Sequence, residues 1–575
     1  MMRRIALLSL LLTLTFVGNG YAVQYMPAPP LSQVVTTSVG DVTKGPVTQV
    51  PTITWGGDEA TYYANGNARE TQRGSIFDKE GVRLKLVRED NFVKQVEDYV
   101  SGRSPYLRGT LGMITLALDV LNRDPRTSPV FVYQMTESLG DMLVVRDNIK
   151  TPKDLCGKTI ALQAYGPHVD FMMKIVTDAC GSVGKVTIKW TKDLTGTANT
   201  PAAALQQDKT VDAVFVIGPD AMKLTNKGTV GTGREESVKG ARILLSTKTF
   251  DTAIADLYVV RADYFRSNHV DVERFTHGLL VGEEALSQLV KGKATRQKDY
   301  NQMVAAMADV LLDDPKGTAD GLAGAEGMYE DARFVGYPGN VKFFGDQNYP
   351  RNFEKRVNEA QAALISMGLL SKKHSVEHAK WDYKRLAAGL RNTQGVQVPR
   401  FDSGEVAKVI DRKQKQGTLS EGELFSFDVF FQPNQNVFSK DQYGADFAKV
   451  TEFSSTYGGA VITIEGHSDP LGYLKARKDG QTEEVLRRTM QAAKNLSLSR
   501  ANAVRDGIIA YAKSKGITLD QSQFVVVGHG IDKPKNGKCG ADPCAPKTEK
   551  EWRDNMRVEF RVIQIEAESS AFKPL

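Results

Sequence analysis

The sequence predicts an α/β protein made of two successive α/β domains. Three observations lead there. From Thr52 onward short apolar strands alternate with amphipathic helices; residues 264–385 then turn mainly helical; and after a polar run at 389–420 the strand–helix alternation starts again. In the first domain the candidate strands are 52–55, 83–87, 142–145, 159–162, 213–217, 242–245 and 257–260. The helices between them are 92–101, 111–121, 168–179 and 200–207. Such alternation argues for largely parallel sheets. The helical part holds 271–290, 300–312, 350–367 and 381–388. The second domain reads as strand 425–431, helix 441–456, strand 460–465, helix 482–514, strand 523–527 and strand 556–564.

The ends of the chain read differently. Arg3 and Arg4 precede an apolar run from Ile5 to Val17, and Gly20-Tyr21-Ala22 supplies small residues, the pattern of a secretory signal peptide over 1–22. The apolar run is shorter than the ~20 residues a spanning helix needs. Residues 23–51, rich in Pro, Val, Thr and Gln, predict a flexible leader, and 566–575 a tail. The resulting division is 52–388 for the first domain, 389–422 for a linker with one helix at 404–416, and 423–565 for the second domain.

Composition narrows the function. A formal charge of +6, with charged residues at 25%, gives no electrostatic footprint of nucleic-acid binding. The four cysteines, Cys156, Cys180, Cys539 and Cys544, are even in number in a chain expected to be exported, which predicts disulfides with three possible connectivities. Sequence proximity favours Cys156–Cys180 and Cys539–Cys544. Neither pair has a second pair at zinc-finger spacing. No nucleophile elbow, phosphate loop or metal-spaced histidine cluster occurs, so neither an enzyme nor a cofactor is expected. His374 and His378 stand at i, i+4 without the glutamate pattern of a metalloprotease, and predict a solvated helix face.

The stretches Thr54-Trp55-Gly56-Gly57-Asp58, residues 151–162 (TPKDLCGKTIAL), Ala164-Tyr165-Gly166-Pro167-His168 and Val211-Asp212-Ala213-Val214-Phe215 follow one another in a recognisable order. Through them the segment 52–345 resembles the periplasmic solute-binding proteins of the nitrate/taurine/sulfonate type. The resemblance implies the type II fold, two α/β lobes that close over a small ligand. Lobe one would hold 52–140 and 255–385, and lobe two 141–254, with 141–146 and 255–260 crossing between them. It also implies an ABC-transporter permease as a partner. Physical reasoning points to the same cleft. Gly109-Thr110 and Gly166-Pro167 each precede a helix, and helix N-termini offer free N–H groups to an anion. A small anionic or polar solute is thus expected at Gly109, Thr110, Tyr165, Gly166 and His168, with Asp58 on the rim. The alternative is that these residues are plain caps and the clamp serves structure or protein interaction.

In the second domain, Phe427-Asp428-Val429-Phe430-Phe431, residues 464–472 (IEGHSDPLG), residues 496–504 (LSLSRANAV), Gly528-His529-Gly530, Pro534 and residues 555–560 (NMRVEF) occur in order. By these motifs, 426–565 resembles the peptidoglycan-binding domain of the OmpA family. The resemblance implies that Asp469 and Arg500, the latter at the start of the following helix, hold the diaminopimelate of the wall's stem peptide. It adds Asn555 and Arg557 to that set, with Met556 standing where the family usually carries Arg. A zwitterionic diaminopimelate end needs a carboxylate for its ammonium and a guanidinium for its carboxylate. The charged insert 473–495 is longer than the family's usual connection and is expected to extend the helix. Together the readings predict an exported, peptidoglycan-associated periplasmic protein with a solute clamp.

Overall fold

The computed structural model describes residues 23–563 apart from 44, 235, 395–402, 418, 420–422, 440 and 540–541. The expected signal peptide and tail lie outside the described residues. The chain starts lobe one with parallel β1 (Thr48–Thr52) and β2 (Leu84–Arg88), followed by β3 (Tyr106–Thr110) and β4 (Pro129–Ser138). It then passes into lobe two, where β5 (Asp141–Val145), β6 (Thr159–Gln163), β7 (Thr187–Thr191), β8 (Ala213–Ile217) and β9 (Arg242–Ser246) form a sheet of order β7-β6-β8-β5-β9. On returning, β10 (Ala255–Arg261), β11 (Ala332–Phe334) and β12 (Glu377–His378) complete the lobe-one sheet, ordered β11-β4-β10-β3 with β12 beside β4.

Strands β5 to β9 all lie within 141–254, while β1 to β4 and β10 to β12 lie on either side of that stretch. Three details differ from expectation. The sheets are mixed: β10 runs antiparallel to both β3 and β4, and β5 antiparallel to β8 and β9. The strands expected to cross each belong to one lobe, and the crossings are the short links 139–140 and 247–254. His374 and His378 are not on a helix, since His378 sits in β12 and His374 bonds Asp119 at 2.7 Å.

Residues 23–43 are not a slack leader. Tyr25 bridges Thr191 and bonds Asp208 at 2.7 Å in lobe two, while Leu31 and Val35 are fully buried against lobe one. Arg123 and Arg261 donate to the carbonyls of Val35 and Gly40, at 2.7 and 3.0 Å. One helical turn, Leu31–Val34, makes hydrogen bonds of its own, while arginines of lobe one satisfy the carbonyls of Val35 and Gly40 and two apolar side chains anchor the segment. The result is a strap across both lobes.

The C-terminal domain has β13 (Glu423–Phe430), β14 (Val461–Gly466), β15 (Phe524–Gly528), the short hairpin β16 (Lys538–Cys539) and β17 (Asp542–Pro543), and β18 (Arg557–Ile563). Its main sheet is ordered β13-β18-β14-β15, with β14 and β15 parallel and β18 antiparallel to both neighbours. The helices Gly444–Thr456 and Glu483–Ser514 pack on one face around Ile462, Ile464, Val558 and Phe560. The helix Ser403–Gln416, expected in a linker, lies on the other face with Val406, Val409 and Ile410 against Val461 and Ile563. The insert makes a helical hairpin: Leu471–Lys478 turns at Gly480 (φ +67°), and Thr482 caps the 32-residue helix Glu483–Ser514, about 48 Å long.

This domain is seated on the clamp at the 247–254 crossing. Tyr457 packs on Phe250, with ring centroids 4.8 Å apart, and donates to Asp178 of lobe two at 2.8 Å. Gly459 N–H donates to the Thr249 carbonyl at 2.9 Å, and any Cβ at 459 would lie 1.9 Å from the Lys248 carbonyl oxygen.

Candidate functional site

The cleft is closed on the protein's own side chains. Gly109 and Thr110 end β3, and Thr110 caps the helix Leu111–Leu116 by accepting from Met113 N–H at 3.2 Å. The anion at that terminus is Asp170, from the first turn of the lobe-two helix His168–Cys180. Thr110 Oγ1 and Gly112 N–H donate to its two carboxylate oxygens, at 2.5 and 2.8 Å. Gly112 permits this approach, because a Cβ there would sit 2.4 Å from Asp170 Oδ2. Burial raises the Asp170 carboxyl to about 7, against the two hydrogen bonds that favour its charge.

The other expected solute residues are also committed. Tyr165, at φ +58°, donates its hydroxyl to the Pro29 carbonyl of the strap at 2.6 Å. Gly166 packs on Gln163, and His168 is fully buried with Nε2 2.7 Å from Asp141 Oδ1 at the 139–140 crossing. Asp58 is not on a rim. It lies fully buried beside Arg108, 2.9 Å away, and Arg108 also holds Asp256 at 2.6 Å. Burial pushes Asp58 up to about 7, with Arg108 opposing. The sequence placed these residues by the glycines before each helix. It missed Asp170, whose signal was an acid in the first turn after a Gly-Pro helix start.

A cavity of about 420 Å³ remains between the helices His168–Cys180 and Phe353–Ser366. Its cations have partners: Arg356 with Glu137 at 2.5 Å, Arg351 with Glu359 at 2.6 Å, and Lys174 with Asp178 at 2.8 Å.

In the C-terminal domain Asp469 and Arg500 come together at the end of β14. The Asp469 carboxylate accepts from Leu471 N–H at 3.0 Å and remains partly exposed. Arg500 is not at a helix start but well inside Glu483–Ser514, facing the sheet. Its guanidinium is fully buried over Phe431 and donates to the carbonyls of Gln435, His467 and Gln432 at 2.8, 3.1 and 3.1 Å. Among the described residues no carboxylate forms an ion pair with it. Burial lowers its pKa to about 10, with Asp469 the charge that opposes this. Asn555 and Arg557 do not join the pair. The Asn555 side chain accepts from the Lys535 and Asn536 N–H groups at 2.7 and 3.0 Å, pinning that loop. Arg557 points to the opposite sheet face and pairs with Glu559.

Both cysteine pairs are disulfides, Cys156–Cys180 and Cys539–Cys544. Among the described residues no group of His, Cys, Asp or Glu could hold a metal, and no helix is long and apolar enough to cross a membrane.

The class the fold defines is a two-lobed α/β protein, its lobes joined by two short links, followed by a smaller α/β domain with a four-stranded main sheet. No family model matches the chain. It is similar to outer membrane protein Omp38 of two Acinetobacter baumannii strains, 29% identical over 164 residues, which is 28% of this chain. The match spans 40% of the length of those relatives. Among solved structures it is similar to the periplasmic aliphatic sulphonate binding protein SsuA of Escherichia coli, with 15% identity and a TM-score of 0.38, covering 62% of this chain and 96% of that one. The sulfonate-binding SsuA of Methylobacillus flagellatus gives 16%, 0.40, 62% and 100% in the same order. The peptidoglycan-associated lipoprotein of Burkholderia pseudomallei gives 22%, 0.17, 24% and 88%.

Proposed function

We propose that this is a non-enzymatic envelope protein of the periplasm that grips peptidoglycan through Asp469 and Arg500 and carries a clamp held shut by Asp170. The observation that carries the wall-binding part is the buried Arg500 guanidinium, oriented by three backbone carbonyls and ion-paired to no carboxylate among the described residues. Such a cation is set for an incoming carboxylate, and Asp469 supplies the counter-charge for the ammonium of diaminopimelate. Binding exchanges the carbonyls of Gln432 and Gln435 for that carboxylate. The test is co-sedimentation of the full chain with insoluble sacculi, with circular dichroism to verify folding. Asp469→Ala and Arg500→Ala should each weaken binding by tenfold or more, and a folded double variant that sediments like the parent refutes the assignment.

For the clamp, Asp170 in the helix terminus favours a structural or interaction role, because the position of a ligand anion is already taken. A second reading, capture of a small anionic solute for an ABC permease, draws on the same contact: a sulfonate or carboxylate could replace Asp170 at Thr110 and Gly112. Thermal shift with taurine separates the two. Stabilisation of the parent supports capture. No shift in either the parent or Asp170→Ala rejects capture of this sulfonate.

A further inference from the structure

The sheet of the C-terminal domain has a second ionisable face that the wall site does not use. Strand alternation and register put Val461, Thr463, Glu465 and His467 beside Ile563, Arg561, Glu559 and Arg557. The helix Ser403–Gln416 covers only the apolar end of this face. Its last turn reaches the charged end, where Gln414 donates to Glu465 at 2.9 Å, and the helix gives out before Gly417, at φ +69°. There a cavity of about 500 Å³ opens between the sheet, Leu419 and the loop around the Cys539–Cys544 disulfide. That volume is within the range of small-molecule sites, roughly 300–1,000 Å³.

The floor of the cavity is buried and incompletely paired. His467 and Arg557 are 2% and 4% exposed. Among the described residues, Arg557 Nη1, Arg561 Nε and Glu465 Oε1 make no hydrogen bond, although the last two face each other as an ion pair at 4.0 Å. His467 Nε2 stands 3.8 Å from Glu559, and burial together with Arg557 lowers the ring to about 3, so it is neutral. Glu559 is charged: burial would raise it, but the guanidiniums of Arg557 and Arg561 hold it at about 2. On the rim, Lys535 pairs with Asp428 at 2.7 Å, while Lys533 and Lys538 have no ion pair among the described residues. Incomplete pairing makes a buried ionic cluster costly as a stabilising device, and the residues that carry these atoms line the cavity.

We propose that this cavity binds a small polyhydroxylated anion, a sugar bearing a carboxylate or a phosphate. Arg557, Lys533 and Lys538 supply the anion's donors, and Glu465 with Gln414 meets the hydroxyls. The site stands back to back with the wall site. His467 lines the cavity with its ring while its carbonyl accepts from Arg500 on the far side of the sheet. An acidic sugar of the wall and a soluble sugar phosphate share this chemistry.

The test is calorimetric titration of the full chain with N-acetylmuramic acid, glucose 6-phosphate and neutral N-acetylglucosamine. At least one charged sugar should bind about tenfold or more tighter than N-acetylglucosamine. The doubly substituted Lys533→Ala, Lys538→Ala protein should weaken that binding by about tenfold or more, a loss these rim positions allow without disturbing the Arg557–Glu559 pair. Asp469→Ala should leave it unchanged, which separates this cavity from the wall site. Which charged sugar binds identifies the source. Three results would overturn the proposal: no binding of either charged sugar at millimolar concentration, equal binding of the neutral one, or binding that survives the lysine substitutions but is lost in Asp469→Ala.

Discussion

Replacing Asp170 with asparagine or alanine tests whether the two lobes are latched by one carboxylate. Asp170 accepts from Thr110 Oγ1 and Gly112 N–H, both in a buried setting. Alanine leaves those two donors without a partner, at about 1–3 kcal/mol each, so Asp170→Ala should cost about 2–6 kcal/mol in the clamp's unfolding. Asparagine keeps an acceptor and should cost less. The pH dependence is the sharper signature. The folded carboxyl is raised to about 7 from its usual 3.8, so between those values the folded state binds the proton that the unfolded state has lost. The contribution of this group is therefore present below pH ~4 and is lost as pH rises towards ~7, at a slope of up to about 1.4 kcal/mol per pH unit. Other raised groups such as Asp58 tilt the curve the same way, so the difference between parent and Asp170→Asn is the quantity to measure. Scanning calorimetry at pH 5 and pH 7 would show the asparagine variant losing part of the parent's slope. Identical slopes, with unchanged melting in the alanine variant, would refute the latch.

Arg500→Lys should behave almost like Arg500→Ala in the sacculus assay, because an ammonium lacks the planar fork by which the guanidinium is held by carbonyls and then meets a carboxylate with two parallel donors. Leu31→Ala should destabilise the clamp by about 2–5 kcal/mol in calorimetry, since Leu31 is fully buried where the strap meets lobe one. Serine at both Cys156 and Cys180 should lower stability by about 3 kcal/mol through the lost closure of their loop, and alkylation mapping of the parent should find neither thiol free.

The family resemblance, not a local pattern, supplied 141–254 as a second lobe, and β5 to β9 lie within that stretch. Strand β8 (AVFVI) announced itself by its unbroken apolar run. Strands β3 and β4 did not, because buried polar residues interrupt them. Arg108 and Glu137 are tolerated there through partners that include Asp256 and Arg356, 148 and 219 residues away in the chain. The same holds for the sites. Motif spacing brought Asp469 to Arg500, but the carbonyls that wrap the guanidinium come from a loop about 65 residues earlier, which no local pattern reports. Asp170 was invisible as a cleft residue because its partners lie on the other lobe. The strap was misread because composition describes a segment alone and says nothing of the grooves available to it.

A tether is usually pictured as a leash, with its cargo free to roam within the leash's length. The seating of Gly459 and Tyr457 on the 247–254 crossing makes this one a lever. The contacts run from the C-terminal domain through Tyr457 to Phe250 and to Asp178 of lobe two, and so end at one of the two links between the lobes. Under the proposed wall binding, a pull at Asp469 and Arg500 would be delivered to that link rather than taken up by a slack linker.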